Sequence, residues 1–449
     1  AATLDLAQRA RGLPPLLVGS FRPSGQRLYH HPALHNVAWL MRAGEMRVAA
    51  VKRLLPVYDV FYEPRWFLPG EASLPPVEIA GRKIGALICE DLWDEAYPVH
   101  PGAELKDMGA DMLVCLAASP YRRGVGEERL YHAKRQGLPI AFVNLVGGDD
   151  ELIFDGGSFW LEGDGGEEAG RFEAGVRVLD TMKLPPPLPL SHRERGWGEG
   201  ELFQALVLGV RDFARKNGMR RAALGLSGGI DSSTAAVIAS EALGARNVTG
   251  VAIPSRYTDP RSTECARQLA EAMGMRFEVV EMEAVHRSVE EALGGRLEGT
   301  ADENVQARIR MLILMSFVNR EGGLLLNASN KTELALGYGT LYGDLAGTLS
   351  PLGDLTKPEV YALARWINAG RNLIPTYVME RPPSAELRPN QVDPFDYETL
   401  APEIERLVRA DQSNAAMRAA EHKRRQFGIV LKVSARAFGS GRMLPVTRR

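Results

Sequence analysis

The run Ser227-Gly228-Gly229-Ile230-Asp231-Ser232-Ser233 constrains this chain more than any other stretch. An apolar, strand-like segment, Arg221–Leu226, leads into it, and a helical stretch of small and apolar residues, Ser232–Leu243, leads out. Two adjacent glycines let the backbone turn with φ > 0 and approach a ligand closely. A helix starting near Ser232 aims its free N–H groups and positive dipole end back into the loop. The hydroxyls of Ser227, Ser232 and Ser233 add donors. A strand, a glycine turn and a helix N-terminus in this order make an anion cradle suited to phosphates. Asp231 would repel a phosphate unless a cation lay between them, so Mg²⁺ is expected. No Gly-Lys-Ser/Thr occurs in the chain, so this is not a Walker loop.

The alternation continues downstream. Val248–Ile253 and Phe277–Val280 read as strands and Arg261–Met273 as a helix, after an amphipathic helix at Leu202–Asn217. The order β-α-β-α-β predicts a doubly wound parallel sheet, which binds ligands at the carboxyl ends of its strands. The chain has 449 residues, enough for two or three domains. The proline run Leu184–Leu190 and the polar, glycine-rich stretch to Gly200 interrupt both helix and strand patterns. Residues 185–200 are therefore expected to be a linker between domains at 1–184 and 201–449. Before the linker, Leu16–Gly19, Val48–Val51, Val77–Ala80, Ile84–Cys89, Met112–Leu116, Ile140–Val146 and Ser158–Leu161 read as strands, with a helix at Glu127–Gly137. That is a mixed α/β domain.

A net charge of −2 gives no electrostatic case for a nucleic-acid or membrane partner. The densest apolar stretch, Met311–Val318, falls well short of the roughly 18 residues of a membrane span. Cys89, Cys115 and Cys265 are odd in number and widely spaced, which argues against a disulfide framework or zinc site and for a reducing cytoplasm. The chain opens Ala1-Ala2-Thr3-Leu4-Asp5, with neither an initiator Met nor a secretory pattern, and is expected to continue upstream.

The loop at 227–233 resembles that of the ATP pyrophosphatases, which split ATP between the α and β phosphates. Within that family the second half resembles the NAD synthetases. The matching runs are Ile253–Tyr257, Glu303–Arg308, Asn330–Thr340, Tyr342–Asp344, Lys423–Gln426 and Gly441-Arg442. The resemblance implies ATP contacts at Ser227, Gly228, Gly229, Asp231, Ser232, Ser233 and Lys331. It implies deamido-NAD contacts at Asn304, Glu333, Tyr338, Gly339, Thr340, Leu341 and Lys423, and Mg²⁺ held by Asp231 and Glu333. One position departs: Ala328 stands where many members have an ATP-contacting Thr, with Asn327 and Ser329 as replacements.

Free ammonia is scarce at neutral pH, so a glutamine-splitting partner domain is expected. Cys89 ends an apolar strand and is followed by Glu90-Asp91-Leu92-Trp93. A thiol with pKa near 8.5 is only ~3% thiolate at neutral pH, so a nucleophilic Cys89 needs a base and a nearby cation. Lys52–Tyr58, Phe61–Glu63, Cys89–Trp93, Ser119–Tyr121 and Asp155–Ser158 resemble the nitrilase superfamily, in particular the glutaminase half of the NAD synthetases. The fold implied is an α-β-β-α sandwich, truncated at its start in this sequence. The catalytic set implied is Cys89 as nucleophile, Lys52 as oxyanion stabiliser and Glu63 as supporting glutamate, with Tyr58 and Ser119 at the glutamine. The general-base Glu of that superfamily has no match before Lys52; Glu45 is too close and lacks the motif. Val125 also departs, standing where a basic residue is usual, with Arg122 and Arg123 beside it.

The resemblance implies ATP-dependent amidation of deamido-NAD through an acyl-adenylate, with ammonia from L-glutamine. It also implies a homo-oligomer, a dimer of synthetase domains or an octamer built on it. The alternatives are an ammonia-only synthetase with an inactive glutaminase domain and a tRNA-modifying pyrophosphatase. The latter predicts a basic stripe or CxxC pairs, which the sequence lacks. GMP synthetase would need a Cys-His-Glu arrangement, for which His100 and His132 are the nearby histidines. The Pro- and charge-rich stretch Glu380–Phe395 reads as a mobile active-site flap.

Overall fold

A computed structural model describes residues 2–180 and 198–439. The proline-rich part of the expected linker, 185–197, and Gly441-Arg442 lie outside the described residues. Gly198–Gly200 already form the first turn of a helix, so the expected linker is shorter at its C-terminal end. The chain divides into two compact units. The first takes the chain to Pro120, then Gly124–Gly147 and the residues from Phe154 on. The second takes Tyr121–Arg123, Gly148–Ile153 and the chain after the linker.

In the first unit, helix α1 (Ala2–Arg9) is followed by the strands β1 (Leu16–Leu28), β2 (His31–Arg42) and β3 (Glu45–Val51). These three form an antiparallel sheet, and α1 touches β3. Then come β4 (Val77–Ile79), β5 (Arg82–Ile88), α2 (Pro101–Asp107), β6 (Met112–Ala117), α3 (Val125–Arg135), β7 (Ile140–Asn144), the paired β8 (Val146–Asp149) and β9 (Leu152–Asp155), whose stretch Gly148–Ile153 is counted with the second unit, and β10 (Phe159–Glu162) and β11 (Gly165–Glu168). The larger sheet runs β11-β10-β7-β6-β5-β4, with β5, β6 and β7 parallel at its centre. Strand β5 shows why this layering forms. Successive side chains of a strand point to opposite faces. Ala86 and Ile88 enter a core with Ala38, Leu40, Ala49 and Ala50 of the smaller sheet. Leu87 enters a second core with Leu105 of α2 and Ala133 of α3. A strand covered on both faces must be apolar throughout, as Ile84–Ile88 is. The result is the expected sandwich of two sheets with helices outside.

The second unit begins with α4 (Gly198–Lys216). Strand β12 (Ala222–Gly225), α5 (Ile230–Leu243), β13 (Val248–Ala252), α6 (Pro260–Met273), β14 (Arg276–Val279), α7 (Glu283–Ala292), α8 (Gly299–Glu321) and β15 (Leu324–Leu325) follow. Then come α9 (Lys331–Leu336), the short β16 (Leu349–Ser350), α10 (Lys357–Arg371), α11 (Thr376–Glu380) and α12 (Tyr397–Arg409). The sheet is parallel throughout, in the order β14-β13-β12-β15. The chain moves outward from β12 to β14 and then returns to the other side of β12. The switch point therefore lies at the carboxyl end of β12, where the loop at 226–229 leaves the sheet. Helix α5 packs against α4, α10 and the sheet, and its residues from Ser232 to Ser240 are all buried. A helix apolar on every side can only be central.

One buried ion pair stiffens the first unit. Arg129 of α3 is fully buried and donates to Asp155 through Nη1 (3.1 Å) and Nη2 (2.9 Å). It also donates to the carbonyls of Ser119 and Pro120 and, from Nε, to Ser119 Oγ. Breaking a buried pair from one side leaves the other charge uncompensated. Arg129→Met is expected to destabilise the protein by about 3 kcal/mol, read as a lower chemical-denaturation midpoint. Arg129→Met/Asp155→Leu is expected to recover part of that loss. A single variant as stable as the parent would contradict this account.

Candidate active sites

The first unit gathers its polar side chains where β5 ends. Cys89 follows Ile88 with φ +47°, a left-handed conformation that costs a non-glycine residue about 1–3 kcal/mol. The turn lifts the thiol out of the strand. Lys52 follows β3, is buried, and donates from Nζ to Glu63 Oε1 at 2.5 Å. Asp91 clamps the two segments together. Its carboxylate accepts the N–H groups of Arg53 (2.9 Å) and Leu54 (2.9 Å), just after Lys52, and of Ile88 (3.1 Å), just before Cys89. Burial pushes Asp91 up to about 6 against those three N–H bonds.

The charges explain the resting state. Burial would lower the Lys52 pKa, but the pull of the Cys89 site when ionised, the carboxylates of Glu63 and Asp91 and the hydrogen bond to Glu63 outweigh it and raise the pKa, so the ammonium is kept. Burial raises the Cys89 pKa, while Lys52 and a backbone hydrogen bond from Ala118 pull it down without prevailing. The thiol is therefore protonated at rest, and any nucleophilic role would need a base. Glu90, next to Cys89, is buried and accepts hydroxyls from Tyr58 (3.0 Å) and Tyr97 (2.9 Å). Burial lifts its pKa against these bonds. Tyr58 is half exposed, with its hydroxyl at this carboxylate. Ser119 sits at the same sheet end, but its Oγ accepts from buried Arg129 at 3.2 Å. The two nearby histidines are engaged elsewhere: His132 packs on Trp93 and His100 pairs with Asp94. Cys115 and Cys265 are buried in β6 and α6.

The second unit holds a cavity of about 540 Å³ at the carboxyl end of its sheet. Three helix N-termini converge on it: those of α5, α9 and α10. Asp231 lies in the first turn of α5. Asn330 caps α9, accepting from Thr332 N and Glu333 N, while Glu333 Oε2 accepts from Asn330 N. Lys357 opens α10 and its N–H donates to Thr332 Oγ1 at 3.1 Å. Lys357 Nζ lies 2.5 Å from Asp231 Oδ2 and 3.5 Å from Glu333 Oε1, and Asn330 Nδ2 donates to Asp231 Oδ1 at 2.9 Å. Burial and the Asp231 charge push Glu333 well above the usual carboxylate range. The two carboxylates thus share one cation.

Around this centre the loop is tightly specified. Gly228 has φ +74°, and a Cβ there would collide with the Ser262 carbonyl. Ser232 Oγ donates to Gly229 O, and Ser227 Oγ lies 3.1 Å from Ser232 Oγ. Ser227, Gly229, Asp231, Ser232, Asn304, Glu333, Tyr338, Gly339, Thr340 and Lys423 all line the cavity, as do Asn327, Ala328 and Ser329. Lys423 Nζ donates to the carbonyls of Gly337 and Gly339, both at 2.8 Å. Thr340 Oγ1 donates to Asn304 Oδ1 at 2.6 Å.

Four expected contacts are not on the cavity wall. Lys331 is the main correction. Its side chain is fully buried and its Nζ meets Glu405 (2.5 Å), Asp354 (3.0 Å), Ser434 Oγ and Arg436 O. The cation at the Asp231–Glu333 pair is instead Lys357. Ser233 is buried on the far side of α5, Leu341 spends its carbonyl on Arg308, and Gly228 is the turn beneath the wall. The segment expected as a mobile flap is tied down here: Arg381 donates to Gly228 O and Ser262 Oγ, and Tyr338 donates to Asp393. Arg310, also unforeseen, lines the cavity and donates to Ile253 O; burial lowers its pKa to about 10. Among the described residues no helix is long and apolar enough to cross a membrane.

Known proteins carry the same pattern. The NAD synthase family model matches residues 202–435. The chain is 40% identical to the glutamine-dependent NAD(+) synthetase of Synechocystis, covering 99% of this chain and 87% of that protein. It is 36% identical to the Thermotoga maritima enzyme of the same name over the same shares. The structure resembles that of the Acinetobacter baumannii glutamine-dependent NAD+ synthetase in complex with ADP. That match has a TM-score of 0.75 and 30% identity, and covers 99% of this chain and 86% of that one. The Cytophaga hutchinsonii enzyme, 18% identical, has the same fold at a TM-score of 0.76. This chain belongs to the glutamine-dependent NAD(+) synthetases.

Proposed function

We propose that the chain converts deamido-NAD to NAD at the expense of ATP, drawing its ammonia from L-glutamine. The observation that carries this reading is the convergence of three helix N-termini on one cavity, with Lys357 held between Asp231 and Glu333. The second half, 201–449, is the synthetase domain, and the first, 1–184, the amidohydrolase domain. The family resemblance supports a cytoplasmic homo-oligomer built on a dimer of synthetase domains.

A carboxylate is a poor acyl donor, so it must first be activated. An oxygen of the nicotinate carboxylate attacks the α-phosphorus of ATP. The bond to the β-phosphate oxygen breaks, and pyrophosphate leaves. Ammonia then adds to the acyl carbon and loses a proton, and AMP departs with the electrons of the C–O bond. The chain's task is to align the reactants and neutralise charge spread over phosphate oxygens. Ser227, Gly229 and Ser232 offer donors at the loop, and Lys357 the positive charge. Asn304, Tyr338, Gly339, Thr340 and Lys423 form the wall proposed for deamido-NAD. The carboxylate pair already shares one cation, which fits a divalent ion. Asp231 and Glu333 would hold Mg²⁺, which when bound supplies charge neutralisation at the pyrophosphate.

In the first unit, Cys89 attacks the glutamine side-chain carbonyl, forming a glutamyl thioester and releasing ammonia; water then regenerates the thiol as glutamate leaves. Lys52 stabilises the oxyanion and Glu63 fixes Lys52. Glu90, held by Tyr58 and Tyr97, offers a counter-ion to the α-ammonium of glutamine. With its Oγ on Arg129, Ser119 shapes the pocket through its backbone.

Cys89→Ala is expected to abolish NAD formation from glutamine and retain it from ammonium salts. Equal loss with both donors would make Cys89 structural, and unchanged glutamine use would remove it from the reaction. Asp231→Asn is expected to lower kcat/KM with either donor by at least about 100-fold, and a mutant as active as the parent would overturn the metal assignment. Lys357→Met and Lys331→Met separate the two lysines. The first is expected to cut ammonium-driven turnover at least about 100-fold even well below its thermal midpoint, which also falls because two carboxylates lose their cation. The second is expected mainly to lower the midpoint. Reversed phenotypes would restore Lys331 to the ATP site.

A further inference from the structure

A group of side chains outside both reaction centres remains unexplained. His286 and Glu290 stand four residues apart on α7, so they share one face of the helix. Asp302 lies in the first turn of α8. The three can each direct one ligand atom to a common point, those atoms lying within 4.8 Å of one another. His286 and Asp302 are buried, and the Glu290 side chain is 11% exposed.

The decisive feature is a mismatch of distance and direction. His286 Nε2 lies 2.9 Å from Asp302 Oδ1, yet neither atom has a hydrogen-bond partner among the described residues. His286 Nδ1 has none either. A buried imidazole with both nitrogens unsatisfied is costly. At 2.9 Å a hydrogen bond fails only if the N–H axis points away from the oxygen. An ion about 2.1 Å from each atom would explain this, since it would see them at an angle of about 90°. The lone pair of Nε2 would then point at the ion and not at the carboxylate.

We propose that His286, Glu290 and Asp302 form a structural site for a divalent transition cation of the zinc class. One imidazole nitrogen and two carboxylate oxygens are the donor set such ions accept. The surroundings orient the ligands as outer partners of a metal site do. Gln306 Nε2 donates to Asp302 Oδ2 at 3.1 Å. Arg256 Nη2 donates to Glu290 Oε2 at 3.1 Å, and Arg256 Nη1 and Leu297 N approach Oε1 at 3.5 and 3.3 Å. The ion would pin α7 to the first turn of α8. The next residues of that turn, Glu303 and Asn304, line the cavity, so the metal would brace the wall proposed for the dinucleotide.

The test is a metal titration of the full-length protein after chelator treatment and dialysis, with Zn²⁺ scored by retained equivalents and Co²⁺ by its visible absorption. One retained equivalent is expected, with Co²⁺ bands and a raised thermal midpoint. His286→Asn and the near-isosteric Asp302→Asn are each expected to weaken binding at least about 100-fold. Cys89→Ala and Asp231→Asn are expected to leave it unchanged, separating this site from both reaction centres. Wild type retaining no metal, or retaining as much as both α7–α8 variants, would overturn the proposal.

Discussion

Lys357 between Asp231 and Glu333 is the contact on which the synthetase half depends. Two carboxylates with this little water around them repel each other and pay for desolvation. They persist together because an ammonium lies 2.5 Å from one and 3.5 Å from the other. Each comes from the first turn of a different helix, so the ion pair also fixes how α5, α9 and α10 meet. The capping bonds add to this. Asn330 caps its own helix and also donates to Asp231, and Lys357 N–H reaches Thr332. The positive helix ends are therefore aimed at one point before any ligand arrives, which is the preorganisation an anionic transition state requires.

The glutaminase half answers the opposite electrostatic problem. Cys89, its proposed nucleophile, must be anionic only when needed. Burial keeps the Cys89 thiol protonated, while Lys52, held cationic by its anionic neighbours, waits beside it. Asp91 contributes by backbone bonding as well as by its charge. By accepting N–H groups on both sides of the site, it sets the distance between two segments that share no strand pairing. The left-handed φ of Cys89 is tolerated because Asp91 holds Ile88 from the other side of the turn.

Much of this is legible in the sequence, and what is missed has physical causes. The strands β5, β6, β12 and β13 are short, largely apolar runs between turn signals, so their existence and type follow from pattern. β2 is missed because His35 and Asn36 interrupt its apolar run, yet both lie in the strand, paired with Arg22 and Phe21 of β1. The loop at 227–233 is readable because strand, glycines and helix are contiguous. Lys357 is not, because it reaches Asp231 from 126 residues away and nothing local marks it. Lys331 is the cation its motif suggests, but a motif does not say which way a helix turns its side chain. At the first position of α9, Lys331 faces the core, where Asp354 and Glu405 already await it, while Glu333 two positions on faces the cavity. Burial of a lysine is a tertiary fact that sequence spacing does not carry.

The same reasoning separates specificity from chemistry within the cavity. The ionisable groups Asp231, Glu333 and Lys357 sit in the first turns of helices whose caps make them rigid. The groups proposed to meet the rest of a dinucleotide come mostly from irregular backbone, with Asn304 on α8 the exception. Gly337 and Gly339 carbonyls are pinned by Lys423, and Arg381 and Asp393 reach in from the segment after α11. Carbonyls held by a lysine are already satisfied and present shape more than hydrogen-bonding capacity. Contacts such as Tyr338 to Asp393 involve partly exposed groups whose loss costs little, so a ligand can replace them. The end of the cavity proposed to react is thus built to resist displacement, and the end proposed for recognition is built from bonds that a ligand can exchange.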